Sequence, residues 1–156
     1  MIPLIAALAE ARRASGLHQQ HIATGLGLGA KAGISMVSAW ERGHAVPKVG
    51  HACGYATLTS RRIVVVRDSE VVGDLADLMP QLRDLVEEAG LSVTDVAAGL
   101  FVDRSTIASI LRLAGPRTQL TSAMSVLGAV RCTLDLVSAE PAVNRDLDRL
   151  ISDGAA

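Results

Sequence analysis

Aromatic side chains are scarce: Trp40, Tyr55 and Phe101 are the only three in 156 residues, so the stacking platforms that hold single-stranded nucleic acid have no material here. Cysteine is scarce too. Cys53 and Cys132 lie far apart and match no metal-ligand or redox spacing, which leaves them as small apolar residues of a reducing compartment. No apolar run approaches the roughly 20 residues of a membrane span, and Glu10, Arg12 and Arg13 close behind Met1 do not make a signal peptide. The chain is therefore expected to be a soluble, cytoplasmic globular protein with no membrane partner. The glycines at 25, 27 and 29 follow a helical rather than a strand pattern, so no dinucleotide loop is expected. His18 and His21 share a helix face at i, i+3, but no second pair has ligand spacing and no carboxylate completes a set. No metal, no cofactor and no catalytic residue is expected, and the chain does not read as an enzyme.

The small net charge of −1 conceals an asymmetry. Residues 1–66 hold seven basic side chains (Arg12, Arg13, Lys31, Arg42, Lys48, Arg61, Arg62) against two acids, Glu10 and Glu41, for a net of +5. The rest of the chain holds eight basic and fourteen acidic side chains, for a net of −6. Only the first half has the sign that suits phosphate.

The punctuation of the chain repeats. An apolar-periodic segment (Leu4, Ile5, Leu8, Ala11) stops at Ser15-Gly16-Leu17, and a second (Leu82, Leu85, Val86) stops at Ala89-Gly90-Leu91, with helix C-cap chemistry at each glycine. Short helical patterns of the same make-up follow, over 18–26 and 92–100, at an offset of 74. The next pair, 34–42 and 104–112, is offset by only 70, which predicts four extra residues in the first copy's turn, within Leu28 to Gly33. Each copy continues with a Pro-punctuated loop (Pro47, Pro116), another apolar helix, and a β-branched run, over 63–66 and 133–137. The unit is four helices and one strand, used twice. Pro141 to Ile151 puts Val143, Leu147, Leu150 and Ile151 on one face and predicts a C-terminal amphipathic helix. The expected domains are 1–68, 69–138 and a tail over 139–156.

Two short helices that cross steeply need small residues at their contact and an apolar anchor in the second helix, and Ala23 with Val37, or Ala97 with Ile107, meets that demand. Ser92 with Asp95 predicts a capping box, and Asp103 stands where the next helix needs its N-cap. The run Val37-Ser38-Ala39-Trp40-Glu41-Arg42-Gly43, with Pro47 after it, resembles the Cro and phage-repressor (XRE-like, lambda-repressor-like) helix-turn-helix family. The resemblance covers about residues 4–66 closely and 78–137 more loosely; Leu111-Arg112-Leu113 stands in place of Glu41-Arg42-Gly43. It implies a mainly α fold of two tandem helix-turn-helix domains. It also implies a transcriptional regulator at the nucleoid, a repressor by family habit, whose partner is double-stranded DNA.

Motif position then assigns roles. The resemblance makes Gln19 a phosphate-clamping residue, with Gln20, Arg12 and Arg13 as further backbone contacts. Ile34, Ser35, Ser38 and Ala39 fall on the base-facing side, where serines bond several bases and Ile or Ala packs on a thymine methyl. Arg42, His44 and Lys48 follow the helix and suit the opposite strand's phosphates, while Lys31, Arg61 and Arg62 read as ordinary solvated charges. Trp40 and Glu41 read as structural. In the second copy Arg104, Ser105, Ser109 and Arg112 make a second candidate reader, but Val93, Val86 and Glu87 replace Gln19, Arg12 and Arg13. That copy either docks beside the first or serves oligomerisation. A pseudo-two-fold axis predicts that the runs 63–66 and 133–137 pair antiparallel, within one chain or between two. The rival reading is a protein-interaction adaptor, antirepressor-like or antitoxin-like, with both copies degenerate.

Overall fold

The computed structural model describes residues 2–139, and they form a mainly helical protein with one small antiparallel sheet. The chain runs α1 (Pro3–Ala14), α2 (Gln19–Gly25), α3 (Ala30–Glu41), α4 (Val49–Leu58), β1 (Arg61–Arg67) and β2 (Glu70–Asp74). It continues through α5 (Leu75–Leu78), a 3-10 turn (Met79–Gln81), α6 (Leu82–Glu88), α7 (Val93–Leu100), α8 (Arg104–Leu113), α9 (Leu120–Ala129) and β3 (Cys132–Ser138). The order of four helices and a strand thus occurs twice. The predicted helix over Pro141 to Ile151 lies outside the described residues.

Local chemistry accounts for the punctuation. Gly16 and Gly90 take positive φ, and the following N–H groups of Leu17 and Leu91 donate back to the Arg12 and Val86 carbonyls, closing two matching C-terminal caps. Ser92 and Asp95 bond reciprocally at the start of α7, as expected. At the start of α2 the His18 N–H donates to Nδ1 of His21 at 2.8 Å, so the histidine pair serves as a cap. Asp103 occupies the N-cap position of α8, but its side chain makes no capping bond there.

The sheet has the order β2-β1-β3. The expected pairing of the two β-branched runs occurs within the chain: Ile63 faces Leu136 and Val66 faces Thr133, antiparallel. Val64 faces Asp135, its own counterpart 71 positions on. Lys48 and Gln119, also 71 positions apart, form an isolated antiparallel bridge between the two Pro-bearing loops. The Val49 N–H donates to the Thr118 carbonyl at 2.8 Å, and the Leu120 N–H donates to that of Pro47 at 3.1 Å, a reciprocal pair under the same offset. A pseudo-two-fold axis therefore passes through both contacts.

Two expectations need correction. Strand β2 has no counterpart among the described residues of the second copy; it joins β1 through Asp68 and Ser69, both with positive φ, so the boundary placed after residue 68 falls inside a hairpin turn. The four extra residues of the first copy do not enlarge its turn. The connection from α2 to α3 is Leu26 to Gly29, barely longer than the three residues 101–103, and Ala30 to Gly33 instead form an additional N-terminal turn of α3. Ala30, Lys31 and Ala32 favour helix, and Gly33 fits because it lies where α3 meets α2, against Ala23 and Leu28.

A continuous apolar core joins the halves. Leu8, Ile22, Val37, Val49 and Tyr55 are buried on one side, and Leu82, Ile107, Leu120, Val126 and Leu127 on the other, with Ile63, Val65 and Leu75 in the same cluster. The anticipated contact residues Ala23, Val37, Ala97 and Ile107 are all buried.

Candidate nucleic-acid interface

Helices α2 and α3 meet at 114° across their short connection. That angle turns the outer face of α3 away from the core, because Val37, Trp40 and Glu41 point inward and hold the helix by its opposite side. Lys31, Ser35 and Arg42 are exposed on the outer face, with Ser38 half-buried between them, at the four- and three-residue spacing of one helix stripe. Lys31, which sequence pattern alone assigned to the ordinary solvent face, therefore stands on the first turn of this stripe. The signal that places it there is the length of α3, which begins at Ala30 rather than Ile34.

The other predicted contacts sort by burial. Arg13, Gln20, His44 and Lys48 are exposed, as are Ser35 and Arg42, whereas Ile34, Ser38 and Ala39 are half-buried and Ile34 packs on the core. Arg42 reaches back to the Ser38 carbonyl at 3.4 Å. Lys48 sits on the pseudo-two-fold seam, opposite Gln119.

Arg12 does not belong to this surface. It is 9% exposed, and its Nε and Nη2 donate to the two carboxylate oxygens of Glu41 at 2.7 and 3.0 Å. A third guanidinium bond goes to the Leu17 carbonyl at 2.9 Å. The charge that sequence position suggested for phosphate is thus neutralised inside the fold. Glu41, 8% exposed, also accepts from the Tyr55 hydroxyl at 2.5 Å and from Nε2 of Gln19 at 2.8 Å. Burial pushes the Glu41 carboxyl up, but its bonds from Arg12, Tyr55 and Gln19 outweigh that and hold it below its ordinary value. Burial and the bond to Glu41 push the Tyr55 hydroxyl up. The Gln19 amide is consequently anchored to the end of α3, and α1, α2, α3 and α4 meet at one carboxylate.

This network governs the electrostatics of the face. Among residues 1–66 the only acids are Glu10 and Glu41, and Glu41 is buried and compensated, so α3 with Lys31 and its C-cap Arg42 carries no exposed carboxylate of its own. Trp40 fills the space between α3 and α4, its ring 5.5 Å from that of His51.

The second half solves the same internal problem without polarity. The places of Arg12, Gln19, Glu41 and Tyr55 are taken by Val86, Val93, Leu111 and Val126, of which all but half-buried Val93 are fully inside. Arg104, Ser105, Ser109 and Arg112 are exposed on α8, and Nε of Arg104 donates to the Thr94 hydroxyl at 3.2 Å. Around them Asp84, Glu87, Glu88, Asp95 and Asp103 are also exposed. Helices α6 and α7 and the turn before α8 thus expose five carboxylates against one basic side chain, Arg83.

Among the described residues no group of three or more His, Cys, Asp or Glu is placed to hold a metal ion, and no single helix is long and apolar enough to cross a membrane. Burial and the charge of Asp74 push the Cys53 thiol up to about 11, which leaves it a poor nucleophile. Compared with known proteins, the chain matches no family model, no curated protein and no solved structure.

Proposed function

We propose that the protein is a sequence-specific regulator of transcription that binds double-stranded DNA through a helix-turn-helix formed by α2 and α3, with repression as its outcome. The observation that carries the reading is the α3 face: a helix set at 114° to its predecessor, inside the steep range of such motifs, presenting Lys31, Ser35 and Arg42 with no exposed acid on the helix itself. Lys31 and Arg42 suit phosphates at the two ends of the helix, and Ser35 and Ser38 suit base edges between them. The bond from Gln19 to Glu41 ties the start of α2 to the end of α3, which supports a fixed presentation of the two helices to one duplex. In this arrangement the first half reads, and the second half, with its acidic flank, supports it.

A second reading, a protein-interaction adaptor, is favoured by one observation: Phe101, between α7 and α8, is 95% exposed.

Selection from random duplexes by the full chain, followed by footprinting and a salt titration, tests the proposal. An enriched site is expected, with log affinity falling linearly against log salt, and Lys31→Ala or Arg42→Ala lowering the slope by about 1 each. Failure to enrich any sequence at physiological salt sinks the DNA reading and leaves the adaptor.

A further inference from the structure

Two further differences between the halves leave unsatisfied apolar surface, and both lie in the second half. In the first half the residue after the α2 C-cap is Gly27, which takes a left-handed backbone with φ of 71°. Its counterpart after α7 is Phe101, with φ of 56° and the same backbone bonds: the N–H groups of Gly27 and Phe101 donate to Thr24 and Ala98, and those of Leu28 and Val102 to Ala23 and Ala97. A bulky residue thus occupies a conformation that favours glycine, and its ring touches almost nothing in the chain. The second difference is a loss of volume. The rings of Trp40 and His51, tilted 34° to one another, occupy the space between α3 and α4, but Ile110 and Ser122 take their places between α8 and α9. There an open groove of about 450 Å³ remains, bordered by Leu113, itself 68% exposed, and by Arg117.

We propose that the α8 face of the second half binds a second copy of this chain, with Phe101 of each copy seated in the Ile110–Ser122 groove of the other. The geometry is self-complementary. Phe101 precedes α8 and the groove lies at its far end, so two α8 helices packed antiparallel about a two-fold, each about 15 Å long, bring each ring to the other's groove. Charge agrees with shape: Asp103, two residues past the ring, arrives at the arginine that borders the groove, Arg117, and both are exposed and outside any ion pair among the described residues. The occupant is an aromatic side chain because the related space in the first half is filled by one. This assembly does not depend on DNA binding.

Light scattering of the full chain across a wide range of concentration, without DNA, tests it. The expected mass is twice that of one chain. Phe101→Ser and Ile110→Trp, the first removing the ring and the second filling the groove, each act at both symmetric contacts and raise the dissociation constant roughly 1000-fold, the combined scale of two buried aromatic rings. Asp103→Arg and Arg117→Asp each weaken the dimer and together restore it, a result that loss of folding cannot mimic. A one-chain mass for the unaltered protein overturns the proposal, whether residues 140–156 or a small aromatic molecule fill the groove instead. So does a dimer that survives both Phe101→Ser and Ile110→Trp. A dimer that selects no duplex would reject the DNA reading and leave this inference standing.

Discussion

Val64 lies opposite Asp135, its own counterpart in the second half of the chain, so the centre of the β1–β3 ladder is a contact between equivalent positions. Lys48 opposite Gln119 repeats the relationship at the Pro-bearing loops. Ser60 and Arg131, one residue before each strand, share it in another form, with left-handed φ values of 56° and 61°. The halves are related as two subunits of a dimer are, within one polypeptide.

The polar cluster at Glu41 and its apolar replacement in the second half predict an asymmetry of cost. Glu41→Ala leaves the Arg12 charge buried without its partner and should destabilise by about 3–5 kcal/mol. Exchanging all four residues for their second-half equivalents (Arg12→Val, Gln19→Val, Glu41→Leu, Tyr55→Val) should cost less than that single change, since no orphaned charge remains. Urea unfolding of the two variants decides it, and a quadruple variant less stable than Glu41→Ala would refute the account.

Acid should act through the same carboxylate. Its folded pKa lies below the ordinary 4.5, so its contribution is complete above the unfolded value and disappears as pH falls through the folded one. Stability measured from pH 7 downward should begin to fall near pH 4.5 and below. Glu41→Gln, less stable at neutral pH, should show a shallower loss over that acid range.

Crowding at Gly33 gives a third expectation. A Cβ there would stand 2.7 Å from that of Leu28 and 3.0 Å from that of Ala23, neither of which is the free end of a flexible chain. Gly33→Ala should therefore lower stability by about 1–3 kcal/mol despite alanine's better helix propensity, seen as a drop in Tm.

The exposed pair supplies a contrast. Arg62 and Asp74 meet at 2.5 Å across the β1–β2 hairpin with side chains 46% and 36% exposed. Arg62→Ala should change stability by less than about 1 kcal/mol, and a larger loss in thermal unfolding would show that the hairpin relies on it.

Periodicity and cap chemistry made most helices legible: Leu4, Ile5, Leu8 and Ala11 are buried as their spacing requires, and Gly16 and Gly90 end their helices as expected. The first turn of α3 was not legible because Gly27, Gly29 and Gly33 cluster around it, and local composition speaks for a loop until the contact with Ala23 is known. Strand β2 was hidden by a two-residue turn, Asp68-Ser69, that contains no glycine or asparagine. At the candidate site Ser35 and Arg42 are exposed as expected, but the place of Lys31, the half-burial of Ile34 and Ala39 and the inward turn of Arg12 were not anticipated. The signal was present, since Ile5, Leu8 and Arg12 follow one helix face, yet only the partner at Glu41 makes a buried guanidinium tolerable.

The strand pairing between the halves carries one more consequence. Subunits of an ordinary dimer separate on dilution, and any mutation strikes both faces of their contact at once. Here Val64 and Asp135 are tethered, so their association is independent of protein concentration, and they are encoded separately. Each side of the seam is free to acquire its own chemistry.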